Sequence, residues 1–259
     1  IEDLAEVAEK SMAEAEAVVD RNGPEFRRMA VDVALQASLG RFFAAKFRSG
    51  VLYGIYERSG ERAALQEAID KYRLARAVWA GLAERARPIY LPDITVGEEP
   101  HLRGHWLDRL QAMDEDIADM TRQLELARGN ETQQDRIRSA IVEALNRPRR
   151  TRPPCRHLAP RHFAPGQPLE IQLSLERPGI TARLFYRHVN QAERFDTAQM
   201  QLRDNLCRSV IPGTYTDSPY ALQYYFELKE GPERAWLYPG FSLELSNQPY
   251  FVVPQQMAH

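Results

Sequence analysis

The apolar residues of this chain change rhythm partway along. Up to Arg147 they recur at every third or fourth position, and beyond Pro148 at every second. A helix turns once in about 3.6 residues and a strand alternates faces at each residue, so one kind of element cannot carry both rhythms. The chain is therefore expected to be α+β with segregated domains, an all-α helical bundle followed by an antiparallel β-sandwich. Proline and charge divide at the same place. Four of the 17 prolines precede residue 148 and 13 lie from Pro148 onward; basic and acidic residues number 21 and 26 up to Arg147, then 13 and 10. The run from Asn146 to Pro154 reads as a stiff basic connector, because paired prolines favour extended backbone. The expected division is 1–147 for the bundle, 148–158 for the linker and 159–259 for the sandwich.

In the first part, Leu4, Val7, Ala8, Met12, Ala15 and Val18 form one stripe, which Asn22-Gly23-Pro24 ends. A long helix from Glu25 to about Arg58 carries apolar residues on more than one face, which predicts a place at the bundle centre. Gly40, Gly50 and Gly54 each cost it up to ~1 kcal/mol unless close packing recovers the loss. A third helix with Leu65, Ile69, Tyr72, Trp79 and Leu82 stops before Pro88. Trp106, Leu110, Met113, Ile117, Met120, Leu124 and Ala127 then make a heptad seam, which predicts antiparallel packing on a neighbouring helix. Ile137, Ile141, Val142 and Leu145 mark a fifth helix.

In the second part, Leu169 to Leu175, Ala182 to Tyr186 and Leu222 to Leu228 each alternate apolar with polar residues, as half-buried antiparallel strands do. About seven such strands, punctuated by Pro-Gly turns, match the immunoglobulin- or fibronectin-like sandwich. Alternation turns Tyr186, Tyr224 and Phe226 inward and leaves Phe185, Arg187, Tyr225 and Trp236 for the other face. Exposed rings of this kind stack on sugars or dock a neighbouring domain. Cys155 and Cys207 are open to two readings, a disulfide or a free thiol with Cys207 buried.

The densest polar cluster includes Asp93, Glu98, His101, Arg103 and His105, in a loop of about 18 residues from Arg87 to Gly104 and at the helix start after it. Loops longer than ~12–15 residues are often functional. His101 and His105 are four apart, the spacing of paired zinc ligands on a helix, but Pro100 and Gly104 argue for a helix start near His105 and a capping role there. The acidic run Asp114, Glu115, Asp116 and Asp119 reads as a solvated helix face. Sequence neighbours on one helix cannot face each other across a cleft, so it is rejected as a catalytic pair. Phosphate loop, nucleophile elbow and Cys-x-x-Cys motifs are absent from the sequence. Catalytic residues therefore stay unassigned, and neither a metal nor a cofactor is expected. A net charge of −2 argues against a nucleic-acid footprint, and the lack of a long apolar run argues against a membrane helix. The opening Ile1-Glu2-Asp3-Leu4, helical from the outset and without an initiating methionine, is expected of a piece of a longer protein.

Arg41 to Arg48, Ala75 to Trp79 and Arg103-Gly104-His105-Trp106-Leu107-Asp108-Arg109-Leu110 resemble the helical region that follows the catalytic barrel in large bacterial glycoside hydrolases. The strands Leu184 to His188 and Leu222 to Phe226, with Val210-Ile211-Pro212, resemble bacterial immunoglobulin-like accessory domains. The resemblance implies a non-catalytic accessory region of a carbohydrate-active protein. Its expected partners are an upstream catalytic domain of the same polypeptide and a carbohydrate. Two alternatives are a stand-alone metal or acid–base enzyme with its site in the 88–105 loop, and a protein–protein interaction module.

Overall fold

The computed structural model describes residues 1–21, 23–91, 103–128, 134–147, 151–232, 234–242 and 245–256. The chain divides into two compact units, Ile1–Arg149 and Arg150–His259.

The first unit is helical: α1 (Glu2–Val18), α2 (Gly23–Ser59), α3 (Arg62–Ala86), a 3-10 turn (Trp106–Arg109), α4 (Leu110–Leu126) and α5 (Gln134–Leu145). The most buried helix is α3 and not, as its apolar content suggested, α2. Alanines explain the difference: Ala64, Ala68, Ala75, Ala83 and Ala86 of α3 are fully buried, and their small side chains let neighbours approach closely. On α2, Phe42, Ala45 and Leu52 face the core, whereas Phe47 and Val51 are 59% and 56% exposed. The heptad seam does lay α4 antiparallel on α3. Met113 near its start packs with Tyr72 and Ala75, and Leu124 near its end packs with Leu65 and Ile69. Two carboxylates of the supposedly solvated acidic run strengthen this contact. Asp116 accepts a hydrogen bond from the Tyr72 hydroxyl (2.7 Å), and Asp114 accepts two from Arg76 (2.9 Å each).

The expected stripe on α1 is not a core stripe. Leu4, Val7 and Val18 are exposed and only Ala5 is buried. Instead α1 meets α2 at Gly40, where an added Cβ would lie 3.3 Å from the Ile1 side chain and 3.5 Å from Ala5. Ion pairs from Arg41 to Glu9 and from Arg48 to Glu2, each 2.5 Å, flank that contact. No helix among the described residues is long and apolar enough to cross a membrane.

The second unit consists of β1 (Cys155–Arg156), β2 (Leu169–Leu175), β3 (Ile180–His188), β4 (Asp196–Gln199), β5 (Gln201–Arg203), β6 (Leu206–Ile211), a single turn α6 (Gly213–Thr216), β7 (Leu222–Glu230), β8 (Arg234–Tyr238) and β9 (Phe251–Val253). One antiparallel sheet has the order β1-β2-β6-β5. The other has the order β4-β3-β7-β8, with β9 also paired to β7. Register follows the period-two pattern: Ala182, Leu184 and Tyr186 lie opposite Leu228, Phe226 and Tyr224. The two sheets share one core, in which Ile171, Leu173, Cys207 and Ile211 of the first meet Leu184, Tyr224, Phe226 and Leu228 of the second. Each fully buried Leu, Ile or Phe among them contributes about 1.5–3 kcal/mol.

Cys155 and Cys207 are both free thiols, the latter buried opposite Leu173. Part of the stretch read as linker belongs to this unit. Cys155 and Arg156 pair with β2, and the His157 imidazole ties the sheets together. Its Nδ1 donates to the Gln172 carbonyl of β2 (2.5 Å), and its Nε2 accepts from the Tyr224 hydroxyl of β7 (2.7 Å).

Candidate functional site

The polar cluster of the helical unit is only partly described: Asp93, Glu98 and His101 lie outside the described residues. Of the rest, Arg103 is exposed, and its carbonyl accepts from the Arg109 guanidinium (3.2 Å). His105 starts a helix. Its Nδ1 accepts from the Leu107 amide (3.1 Å), while the Asp108 carboxylate accepts from the His105 amide (2.7 Å), a reciprocal capping box. Acceptance at Nδ1 places the ring proton on Nε2, which is buried without a hydrogen-bond partner among the described residues. Beside His105 lies an apolar pocket of about 400 Å³, lined by Phe42, Trp79, Trp106 and Met113. Trp79 is fixed there by donating from Nε1 to the Trp106 carbonyl (2.7 Å). Among the described residues, no group of three His, Cys, Asp or Glu side chains stands close enough to hold a metal ion.

The residues singled out on the sheet unit come together more fully. Phe185 and Tyr225 occupy opposite register positions on β3 and β7 and stack on the outer face, with centroids 5.0 Å apart and planes 6° from parallel. Two positions along β3, on the same face, stands Arg187. Trp236 lines a groove beside these residues but from an edge position. It pairs with Leu228, an inward residue, so its ring packs against the core and only borders the outer face.

A loop positions the rest. Between β3 and β4 the chain turns at Asn190, whose side-chain oxygen accepts from the Ala192 amide (3.1 Å). The Glu193 carboxylate is held by His188 Nδ1 (2.8 Å) and Asn190 Nδ2 (3.2 Å), and its carbonyl accepts from Arg187 Nη1 (2.9 Å). Phe195 is thereby set edge-on to Tyr225 (5.0 Å, 72°) with the Arg187 guanidinium 4.6 Å from its ring centre. Gln223, only 4% exposed, lies opposite Arg187 and accepts from its Nε and Nη2. Burial raises the Tyr225 phenol above its ordinary pKa, so the ring stays neutral at physiological pH.

Arg187, Phe195, Gln223 and Tyr225 wall this groove of about 580 Å³, completed by Arg152, Leu237, Phe241 and Tyr250. Gly240 allows Phe241 to return over it. Its φ of +63° disfavours any side chain, and a Cβ there would meet the Leu237 carbonyl at 2.7 Å. Phe241 is 63% exposed at the rim. Flat aromatic surface interrupted by a few fixed polar groups suits a ligand with alternating apolar and hydroxyl-bearing faces.

Periodicity found Phe185, Arg187 and Tyr225. It missed Arg152, Phe195 and Gln223. Phe195 and Arg152 lie outside regular alternation, and Gln223 reads as an ordinary outward polar residue. Neither a protein-family model nor a curated protein sequence matches the chain.

Proposed function

We propose that this chain is a binding module of a glycan-acting protein, whose sheet unit takes a carbohydrate in the outer-face groove and whose helical unit supports a neighbouring catalytic domain. The observation that carries the carbohydrate reading is the groove itself: Tyr225, Phe195, Phe241 and Tyr250 offer ring surface beside the donors of Arg187 and Gln223. Sugar rings present C–H faces for stacking and hydroxyls for hydrogen bonds, and this wall supplies both partners.

The strand order supports the finer reading of the sheet unit as immunoglobulin-like. The sequence β1-β2-β6-β5 corresponds to A-B-E-D of that fold, and β3-β7-β8 to C-F-G. The accessory role beside a catalytic domain rests on the sequence resemblance.

Affinity electrophoresis through gels cast with soluble polysaccharides tests the proposal. Retardation by at least one polysaccharide is expected, and Tyr225→Ala should lessen it by about tenfold in affinity, through loss of ring area and of the stack with Phe185. Unretarded migration in every gel would refute it. A second reading, docking of another protein, is favoured by Phe43, Phe47 and Val51, which line one exposed strip of α2 at four-residue spacing.

A further inference from the structure

The groove is charged in a way that a neutral sugar does not require. It is lined by two guanidinium groups, Arg152 and Arg187, and by no carboxylate among the described residues. Both cations are fixed by neutral groups. Arg187 donates to the Glu193 carbonyl (2.9 Å) and to the Gln223 amide and stands over the Phe195 ring. Arg152 donates from Nη1 to the Pro239 carbonyl (2.6 Å) and stands 4.5 Å from the centre of the Tyr238 ring. Carbonyls, amides and ring faces orient a guanidinium without cancelling its charge, and each fork keeps N–H groups beyond those already used.

The nearest carboxylates each lie beside a donor or cation, although the buried Glu227 Oε1 makes no hydrogen bond among the described residues. Glu193 is held by His188 and Asn190, Glu227 lies 3.0 Å from the Lys229 ammonium, and Glu176 lies 3.0 Å from Arg156. The outer face of β3 and β7 adds Arg183 and Lys229, so its charges sum to positive. Arg152 also belongs to a second depression, next to the first, which shares Pro239 and Phe241 with it. The two together form one trough with Arg152 at the junction and Arg187 in one arm. The second depression is also lined by Glu176 and its partner Arg156, which offset each other, so across this trough Arg152 and Arg187 remain as the uncompensated charges.

We infer that the ligand of this trough is an acidic glycan, a chain of uronate residues whose carboxylates meet Arg187 and Arg152 while their rings lie on Tyr225, Phe195 and Phe241. The inference rests on the carbohydrate reading above and adds the charge of the sugar. A planar fork pairs with a carboxylate through two parallel hydrogen bonds, and because Arg187 is already oriented by Glu193, Gln223 and Phe195, little ordering of that fork is left to binding.

Calorimetric titration of the full chain with oligomers of galacturonate, glucuronate and mannuronate, each beside its methyl ester, decides the matter. The ester keeps the sugar skeleton and removes the charge. At low ionic strength a uronate should bind about tenfold or more tightly than its ester, and the difference should shrink as salt is added. Arg187→Gln or Arg152→Gln should each lessen it, and the double variant should abolish it. Tyr225→Ala should weaken acid and ester alike, and thermal melts of each variant show whether it is folded. Esters binding as tightly as acids would overturn the acidic preference and leave the carbohydrate reading standing. Polyglutamate binding as tightly as the uronates would overturn both, because attraction between charges alone would then account for the affinity. Silence with every oligosaccharide would likewise overturn both.

Discussion

His157 occupies a position that no apolar rhythm marks, yet it joins the two sheets through both ring nitrogens. Its edge also packs against Phe226 and Phe251, with centroids 4.9 and 4.7 Å away. Burial holds its pKa below the ordinary 6.5, partly offset by the hydrogen bond to Gln172. The charged form is thus disfavoured in the folded unit, and the unfolded chain takes up the proton first. Stability from this residue is whole above about pH 6.5 and is lost as pH falls through the folded-state value. Urea titrations followed by Trp236 fluorescence, with Trp79 and Trp106 replaced by Phe, should show the sheet unit weakening as pH falls below about 6.5. His157→Gln should flatten that dependence and lower neutral-pH stability by about 1–2 kcal/mol. An unchanged slope in the variant would assign the acid sensitivity to other groups.

At the scale of elements, the three glycines of α2 have separate meanings. Gly40 admits α1, whereas an added Cβ at Gly50 or Gly54 would meet nothing within 4 Å among the described residues. Gly50→Ala and Gly54→Ala should each stabilise the helical unit by up to about 1 kcal/mol, the intrinsic helix preference. Gly40→Leu should instead push α1 away, seen as faster hydrogen exchange along Glu2–Val18 with the α3–α4 pair unaffected. Equal protection in that variant would contradict the close contact. The same helices show what was legible beforehand. The α4 seam and the alternation in β2, β3 and β7 could be read because burial on one face repeats with the period of the element. The exposure of α1 and the central place of α3 could not, because an apolar stripe does not name its partner and alanine is too small to announce a core. For the site, alternation yielded the face of Phe185, Arg187 and Tyr225, whereas Trp236 packs its ring on the core from the edge of the same groove. Gln223, Phe195 and Arg152 became visible only when pairing and loops brought them beside Arg187 and Phe241.

At the scale of the whole molecule, each unit carries its own core, and the binding account belongs entirely to the sheet unit. The helical unit holds a different candidate, the pocket beside His105, Trp79 and Trp106, so ligand location separates the competing accounts. The most direct measurement is amide chemical-shift mapping of the labelled full chain during titration with an oligosaccharide that it retains. A ligand in the outer-face groove should concentrate the shifts at Phe185–Arg187, Phe195, Gln223–Tyr225, Phe241 and Tyr250. Shifts clustered instead around Trp79, His105 and Trp106, with the outer sheet face silent, would contradict that placement.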